Sequence, residues 1–218
     1  MIRLAIAGPD GAGKSVLCQM LHNRIFDSKL QYAGKNRGHV LKSTSIGLKL
    51  WTAMAQFGNI PALIGQYFIF YPFEYAENLV RFRMVPDLET QLMIYDRHPI
   101  DRMVLKYDTV LRLQEGKIKS TRFIVEHPLR LFWGCIYRYF FSKIDRVYVL
   151  LPAAELCFER SGGQYKSIEE AIIRVETYRR AVFDNNNKFT SIVIHRHHMV
   201  EDICQLVLED IKVHGLKI

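Results

Sequence analysis

Gly8, Gly13, Lys14 and Ser15 stand near the start of the chain at the spacing G-x-x-x-x-G-K-[ST]. Those residue types at that spacing suit one task, the holding of a polyphosphate. Glycines let successive backbone N–H groups curl toward phosphate oxygens. A helix beginning at the end of the loop adds the positive end of its dipole. On this reading Gly8, Asp10, Gly11, Ala12, Gly13, Lys14, Ser15 and Val16 bind a nucleotide. Lys14 reaches the β- and γ-phosphates, and the Ser15 hydroxyl ligates a metal ion. ATP and Mg²⁺ are the implied cofactors. The order Gly8, Gly11, Gly13 does not fit G-x-G-x-x-G, which argues against a dinucleotide site.

Two more clusters carry chemistry of the same kind. In "YDRHPIDR", Asp96 closes an apolar run and Arg97 follows it. A carboxylate there is a Mg²⁺ ligand, direct or through water. The Arg97 guanidinium offers phosphate a planar fork. In "CFERSGGQYKS", Arg160 and Lys166 flank Gly162 and Gly163. A glycine pair between two cations predicts a lid over 158–167 that closes on phosphates. Lys14, Asp96, Arg97 and Arg160 are thus the catalytic candidates, and Ser15 and Asp96 the metal candidates.

The elements that must position these residues alternate. Short apolar runs at 2–7, 29–34, 91–96, 145–151 and 191–195 predict strands. Helical spacing follows at 14–26, 74–88, 100–114, 128–142, 168–185 and 199–213. Alternation of this kind predicts a three-layer α/β fold: a parallel, five-stranded sheet with helices on both faces. With 218 residues, one domain is the expectation. Ligands in such sheets bind beyond the carboxyl ends of the strands, where the loop at 8–15, Asp96 and the lid all fall.

The runs "GPDGAGKS", "IYDRHPID" and "LLPAAELCFERSGGQYKSIEEA" resemble the thymidylate kinase-like branch of the P-loop nucleoside and nucleotide kinases. The resemblance extends at motif level from Ile2 to about Ile211. It implies transfer of a phosphoryl group from ATP to a nucleoside monophosphate, with Asp10 facing the acceptor sugar and Arg160 near ATP. The chain departs from the family pattern on the acceptor side. "AGKNRGH", with Lys35 and Arg37, stands where the family has an acidic loop after its second strand. "FEYAEN" places Tyr75 where the family's acceptor arginine stands, with Arg81 and Arg83 further along. The lid has one arginine fewer than the commoner bacterial pattern, and Gly11 occupies the place of a basic residue in the other pattern.

Electrostatics speaks to the acceptor. A neutral hydroxyl gains from a carboxylate base. An anionic acceptor needs its charge screened as two phosphates approach. Lys35 and Arg37 favour the anion, a nucleoside monophosphate held by Asp10, Lys35, Arg37 and Tyr75. A nucleoside or sugar hydroxyl, with Asp10 as base, is the alternative. A nucleotide-binding regulatory or assembly protein without kinase activity is the third reading.

Composition sets outer bounds. The net charge of +8 suits anionic ligands, and no block of five like charges predicts a nucleic-acid tail. Cys18, Cys135, Cys157 and Cys204 form no C-x-x-C pair, and no leader-like run precedes the first strand. Both point to reduced thiols in the cytoplasm. Residues 50–73 carry no charge, yet Gln56, Gly58, Asn59, Pro61, Gly65, Gln66 and Pro72 interrupt them too often for a membrane span. They predict a pocket wall or a homodimer face, with peripheral membrane contact, aided by the aromatic run at 129–141, as the alternative. "HRHH" at 195–198 predicts a polar loop rather than a metal site.

Overall fold

Five apolar runs become five parallel strands: β1 Ile2–Ala7, β2 Ser28–Tyr32, β3 Leu92–Asp96, β4 Arg146–Pro152 and β5 Phe189–Ile194. The computed structural model describes residues 2–32, 41–83, 92–96, 101–184, 189–196 and 198–213. The sheet order is β2-β3-β1-β4-β5. After β1 the chain builds one side of the sheet and then crosses to the other, so the carboxyl end of β1 lies where the strand order reverses. That is where open α/β sheets bind ligands.

Alternation along each strand splits the side chains between two helical layers. Leu4, Ile6, Leu92, Ile94, Tyr148 and Leu150 pack with α1 (Lys14–Arg24) and α9 (Val200–Val213). Tyr148 also donates from its hydroxyl to Asp210 of α9 at 2.6 Å. The other face is covered by α8 (Ile168–Asp184), which packs on β4, β5 and α5 (Asp101–Gln114). Against α5 lies α6 (Ser120–Ser142), and α7 (Ala154–Arg160) packs on α8.

The described residues fall into two compact units, one drawn from 1–32 and 89–218, the other from 33–88. The second unit is helical. It holds α2 (Lys42–Ala55), α3 (Asn59–Ile64), a π-helical stretch Gly65–Phe70 and α4 (Tyr71–Arg83). The uncharged residues 50–73 lie within these helices and the turn at 56–58. Leu63, Tyr67, Phe70 and Tyr71 are buried, and Phe57, Ile60, Ile64 and Phe68 are exposed. No described helix is long and apolar enough to cross a membrane.

Element boundaries differ from the sequence expectation in instructive places. α6 begins at Ser120, a full two turns before Pro128, so the proline sits inside the helix rather than opening it. The sequence expectation follows the preference of proline for the first helical position. The earlier turns are held instead by Arg122–Glu126 and Arg130–Glu126 pairs at helical spacing, around a carboxylate only 3% exposed. β5 starts at Phe189, whose ring is buried and whose register partner is Val147. α2 is unexpected, since Gly47, two serines and two threonines weaken its helix propensity. Packing overrides that preference. A Cβ on Gly47 would stand 2.5 Å from the Phe73 ring, so glycine here lets two helices meet.

Candidate functional site

The loop between β1 and α1 owes its path to close backbone approach. A Cβ on Gly8 would stand 2.7 Å from the Leu150 carbonyl oxygen, and one on Gly11 would stand 2.5 Å from that of Cys157. Both residues hold positive φ, +145° and +81°. A side chain at either position would meet main chain, which cannot swing aside. Gly13, at φ +86°, caps α1, and nothing lies within 4 Å of where its Cβ would be. The loop is therefore packed on its sheet and α7 sides and open at Gly13. Ala12 is buried, and Ser15 and Val16 are exposed on the first turn of α1.

Lys14 is 4% exposed. Its Nζ donates to the carbonyl oxygens of Gly8 at 2.8 Å and Pro9 at 2.5 Å, and lies 3.9 Å from the Asp10 carboxylate. A buried ammonium needs such partners. All three come from the loop itself, so the cation sits within the cradle.

Asp96 ends β3 in register with Ile6 of β1, two residues before Gly8. It is 3% exposed, and among the described residues its Oδ1 meets no hydrogen-bond donor. A buried carboxylate oxygen without a donor is costly unless a cation or water satisfies it. Cys18, one turn into α1, senses the same charges. Burial first, and then the Asp96 carboxylate, push its thiol well above the usual range, against the pull of Lys14. Asp96, Lys14 and the first turn of α1 thus share one electrostatic neighbourhood, and the orphaned Asp96 carboxylate oxygen is of the donor type that a hard divalent cation takes.

Of the other expected site residues, Arg160 is exposed at the end of α7. Its neighbour Glu159 pairs with Arg196, just beyond β5. Gly162, Gly163 and Gln164 are exposed, whereas Tyr165 is 6% exposed and bonded to the loop at Asp10. Within the expected lid, Phe158 to Arg160 belong to α7. Tyr75 lies half-buried on α4 in the second unit. Lys35, Arg37 and Arg97 lie outside the described residues. The His195 backbone N–H donates to His198 Nδ1 at 3.3 Å. Among the described residues no group of three or more histidine, cysteine or acidic side chains is placed to hold a metal.

The structure brings further residues to the loop that the motif does not contain. Tyr165 comes from the stretch after the glycine pair, where a lone aromatic among polar residues, just before an S-x-x-E helix start, is a readable signal. Tyr178 donates to Asp101 at 2.8 Å across 77 positions, a pairing that no local pattern announces. Burial first, then the Asp101 charge, hold the Tyr178 phenol well above its usual range.

No protein-family model matches the chain, and no curated protein matches it by sequence. Solved structures do match it by fold. Thymidylate kinase from Candida albicans aligns over 98% of this chain and 92% of its own, with a TM-score of 0.66 at 13% identity. Deoxyadenosine kinase from M. mycoides with dCMP and dCDP bound aligns over 98% of this chain and 100% of its own, with a TM-score of 0.58 at 12% identity. The same enzyme with bound dATP covers 97% of this chain and 100% of its own, at TM-score 0.58 and 14% identity. At such identities the likeness is one of fold. The chain has the fold of P-loop nucleotide and nucleoside kinases.

Proposed function

We propose that the protein is an ATP-dependent phosphotransferase that moves the γ-phosphoryl group to a small anionic acceptor, a nucleoside monophosphate before others. The observation that carries this reading is the orphaned Asp96 Oδ1 at the strand end beside the glycine loop and Lys14. Phosphoryl transfer asks the protein for positioning and charge more than for covalent chemistry. The loop N–H groups and the α1 N-terminus cradle the phosphates, and Lys14 supplies a cation to the transferred group. Ser15 and Asp96 hold Mg²⁺, which neutralises developing charge when bound. Arg97 and Arg160 add guanidinium groups, and Lys35 and Arg37 screen the acceptor's charge.

Fold neighbours named thymidylate kinase and deoxyadenosine kinase support a nucleotide or nucleoside as acceptor. The deoxyadenosine kinase neighbours favour a second reading, a nucleoside hydroxyl acceptor with Asp10 as its base. Both readings are tested by incubating the protein with Mg·ATP and a panel of nucleosides, nucleoside monophosphates and phosphorylated sugars, and measuring acceptor-dependent ADP. A monophosphate is expected to respond. Response from nucleosides alone would select the second reading. ATP binding without any acceptor-dependent ADP would replace both with a regulatory or assembly role.

The metal assignment has its own test. Asp96→Asn keeps the side-chain shape and removes the charge. The Mg²⁺ concentration for half-maximal turnover is expected to rise at least about tenfold, the scale seen when a metal site loses a supporting ligand. Unchanged Mg²⁺ dependence would take Asp96 out of the metal site.

A further inference from the structure

One phenol engages both polar groups of a single loop residue. The Asp10 backbone N–H donates to the Tyr165 hydroxyl at 2.8 Å, and that hydroxyl donates to the Asp10 carbonyl at 3.3 Å. The ring is seated among Cys157, Ala171 and Val175, with Ala154 and Ile168 packed alongside. The next residue is also tied down. The Lys166 N–H donates to Glu170 at 3.0 Å, and Glu170 accepts from Arg112 at 3.2 Å. On the other side of Tyr165, Gly162 and Gly163 hold φ of +63° and +82° with nothing within 4 Å of either Cβ position. The segment after α7 is thus open at its glycines and fastened at Tyr165. Burial first, and then the negative charge of Asp10, keep the phenol above its usual range, so it stays protonated and can donate. Asp10 lies between Gly8 and Gly11, the two residues pressed against main chain, and 3.9 Å from the Lys14 ammonium. A shift of Lys14 or of the loop on taking up phosphates acts on the same short stretch of backbone that Tyr165 grips.

We propose that Tyr165 is a positioning residue that couples nucleotide occupancy of the loop at 8–15 to the order of the segment 161–166. This rests on the phosphotransferase reading for its ligand. The coupling runs through the main chain of Asp10, not its carboxylate. Tyr165→Phe therefore removes it while keeping the ring.

Hydrogen exchange of peptides covering 8–15 and 158–167 tests this, with and without the magnesium complex of a non-hydrolysable ATP analogue. In the wild-type protein the analogue is expected to slow exchange in both peptides. In Tyr165→Phe the 8–15 peptide should still respond and the analogue's dissociation constant should stay within about threefold. The analogue-induced slowing at 158–167 should fall about fivefold, the worth of one neutral hydrogen bond. Tyr165→Leu, which fills the same seat without a hydroxyl, should show the same loss of slowing at 158–167 and covers the case in which the phenylalanine variant does not fold. Undiminished slowing in Tyr165→Phe or Tyr165→Leu, or its absence from the wild-type protein with analogue bound, would overturn the proposal alone. A wild-type protein that does not bind the analogue would overturn the phosphotransferase reading and this proposal with it.

Discussion

Lys14→Ala is expected to lower ATP turnover by about 10²–10³-fold, the cost of removing one preorganised charge aimed at a developing anion. The size follows from where the ammonium lies. At 4% exposure it is screened little by water, so its attraction for phosphate oxygens exceeds that of a surface lysine. It is held by the Gly8 and Pro9 carbonyls at 2.8 and 2.5 Å, and those contacts must loosen as phosphates enter. Two neutral acceptors are traded for a multiply charged one, an exchange that electrostatics favours. The same substitution leaves two carbonyls without their donor, which costs stability on the order of 1–3 kcal/mol. Thermal melts of the variant separate that loss from the catalytic one. Turnover within twofold of wild type, with the fold intact, would sink the phosphate-cradle assignment.

The parts of this site that are local in the chain are legible in the sequence. The β1–loop–α1 unit spans residues 2–24, and its glycines, lysine and serine lie within that span at fixed offsets, although the Leu150 and Cys157 carbonyls and the Tyr165 hydroxyl that meet it do not. Glycine, lysine and serine at fixed offsets have few other uses together, so the motif predicts both backbone path and ligand. Asp96 is legible for a related reason: a carboxylate closing an apolar run stands out against burial. Long-range polar pairs are not legible. Tyr165 meets Asp10 across 155 positions, and Arg130 meets Asp108 across 22, by contacts that only the folded topology creates. In the second unit the helical spacing from 74 foreshadows α4, but α2, α3 and the π-helical stretch are hidden for a different reason. Their uncharged run lacks a polar face, and hydrophobic periodicity needs two faces to show itself. Gly47 and Gly65 read as helix breakers, yet Gly47 admits the Phe73 ring too close for a Cβ, and Gly65 lets the Trp51 backbone and the Met54 sulfur come to 3.1 Å from where one would stand.

Asp108→Asn is the second large expected effect, and it concerns stability. Asp108, on α5, is 1% exposed. Its Oδ2 accepts from Arg130 at 2.8 Å and Arg112 at 3.0 Å, and Arg174 of α8 stands 3.7 Å from its Oδ1. Arg130 also grips Glu126, and Arg112 reaches Glu170. One carboxylate therefore gathers arginines from α5, α6 and α8, the helical layer that covers one face of the sheet. Burial alone would raise its pKa. The charges of Arg174, Arg130 and Arg112, with the Arg130 hydrogen bond, outweigh that and hold it below the ordinary carboxylate value. Neutralising it leaves half-buried cations facing one another without their shared counterion. Removing one partner of such a group costs about 3–5 kcal/mol. For a chain of this length that corresponds to a fall in melting temperature of about 6–20 °C. The pH dependence has a definite sign. Because the folded pKa is depressed, the contribution is fully present above the unfolded value of about 4 and is lost as pH falls through the folded value. Wild-type stability should therefore drop steeply below about pH 4, and the asparagine variant should start lower at pH 7 and show a shallower acid limb. Urea unfolding at pH 7 and across that range reads both quantities. A midpoint unchanged at pH 7, or an acid limb as steep in the variant as in the wild type, would mean that the arginines hold the three helices without Asp108.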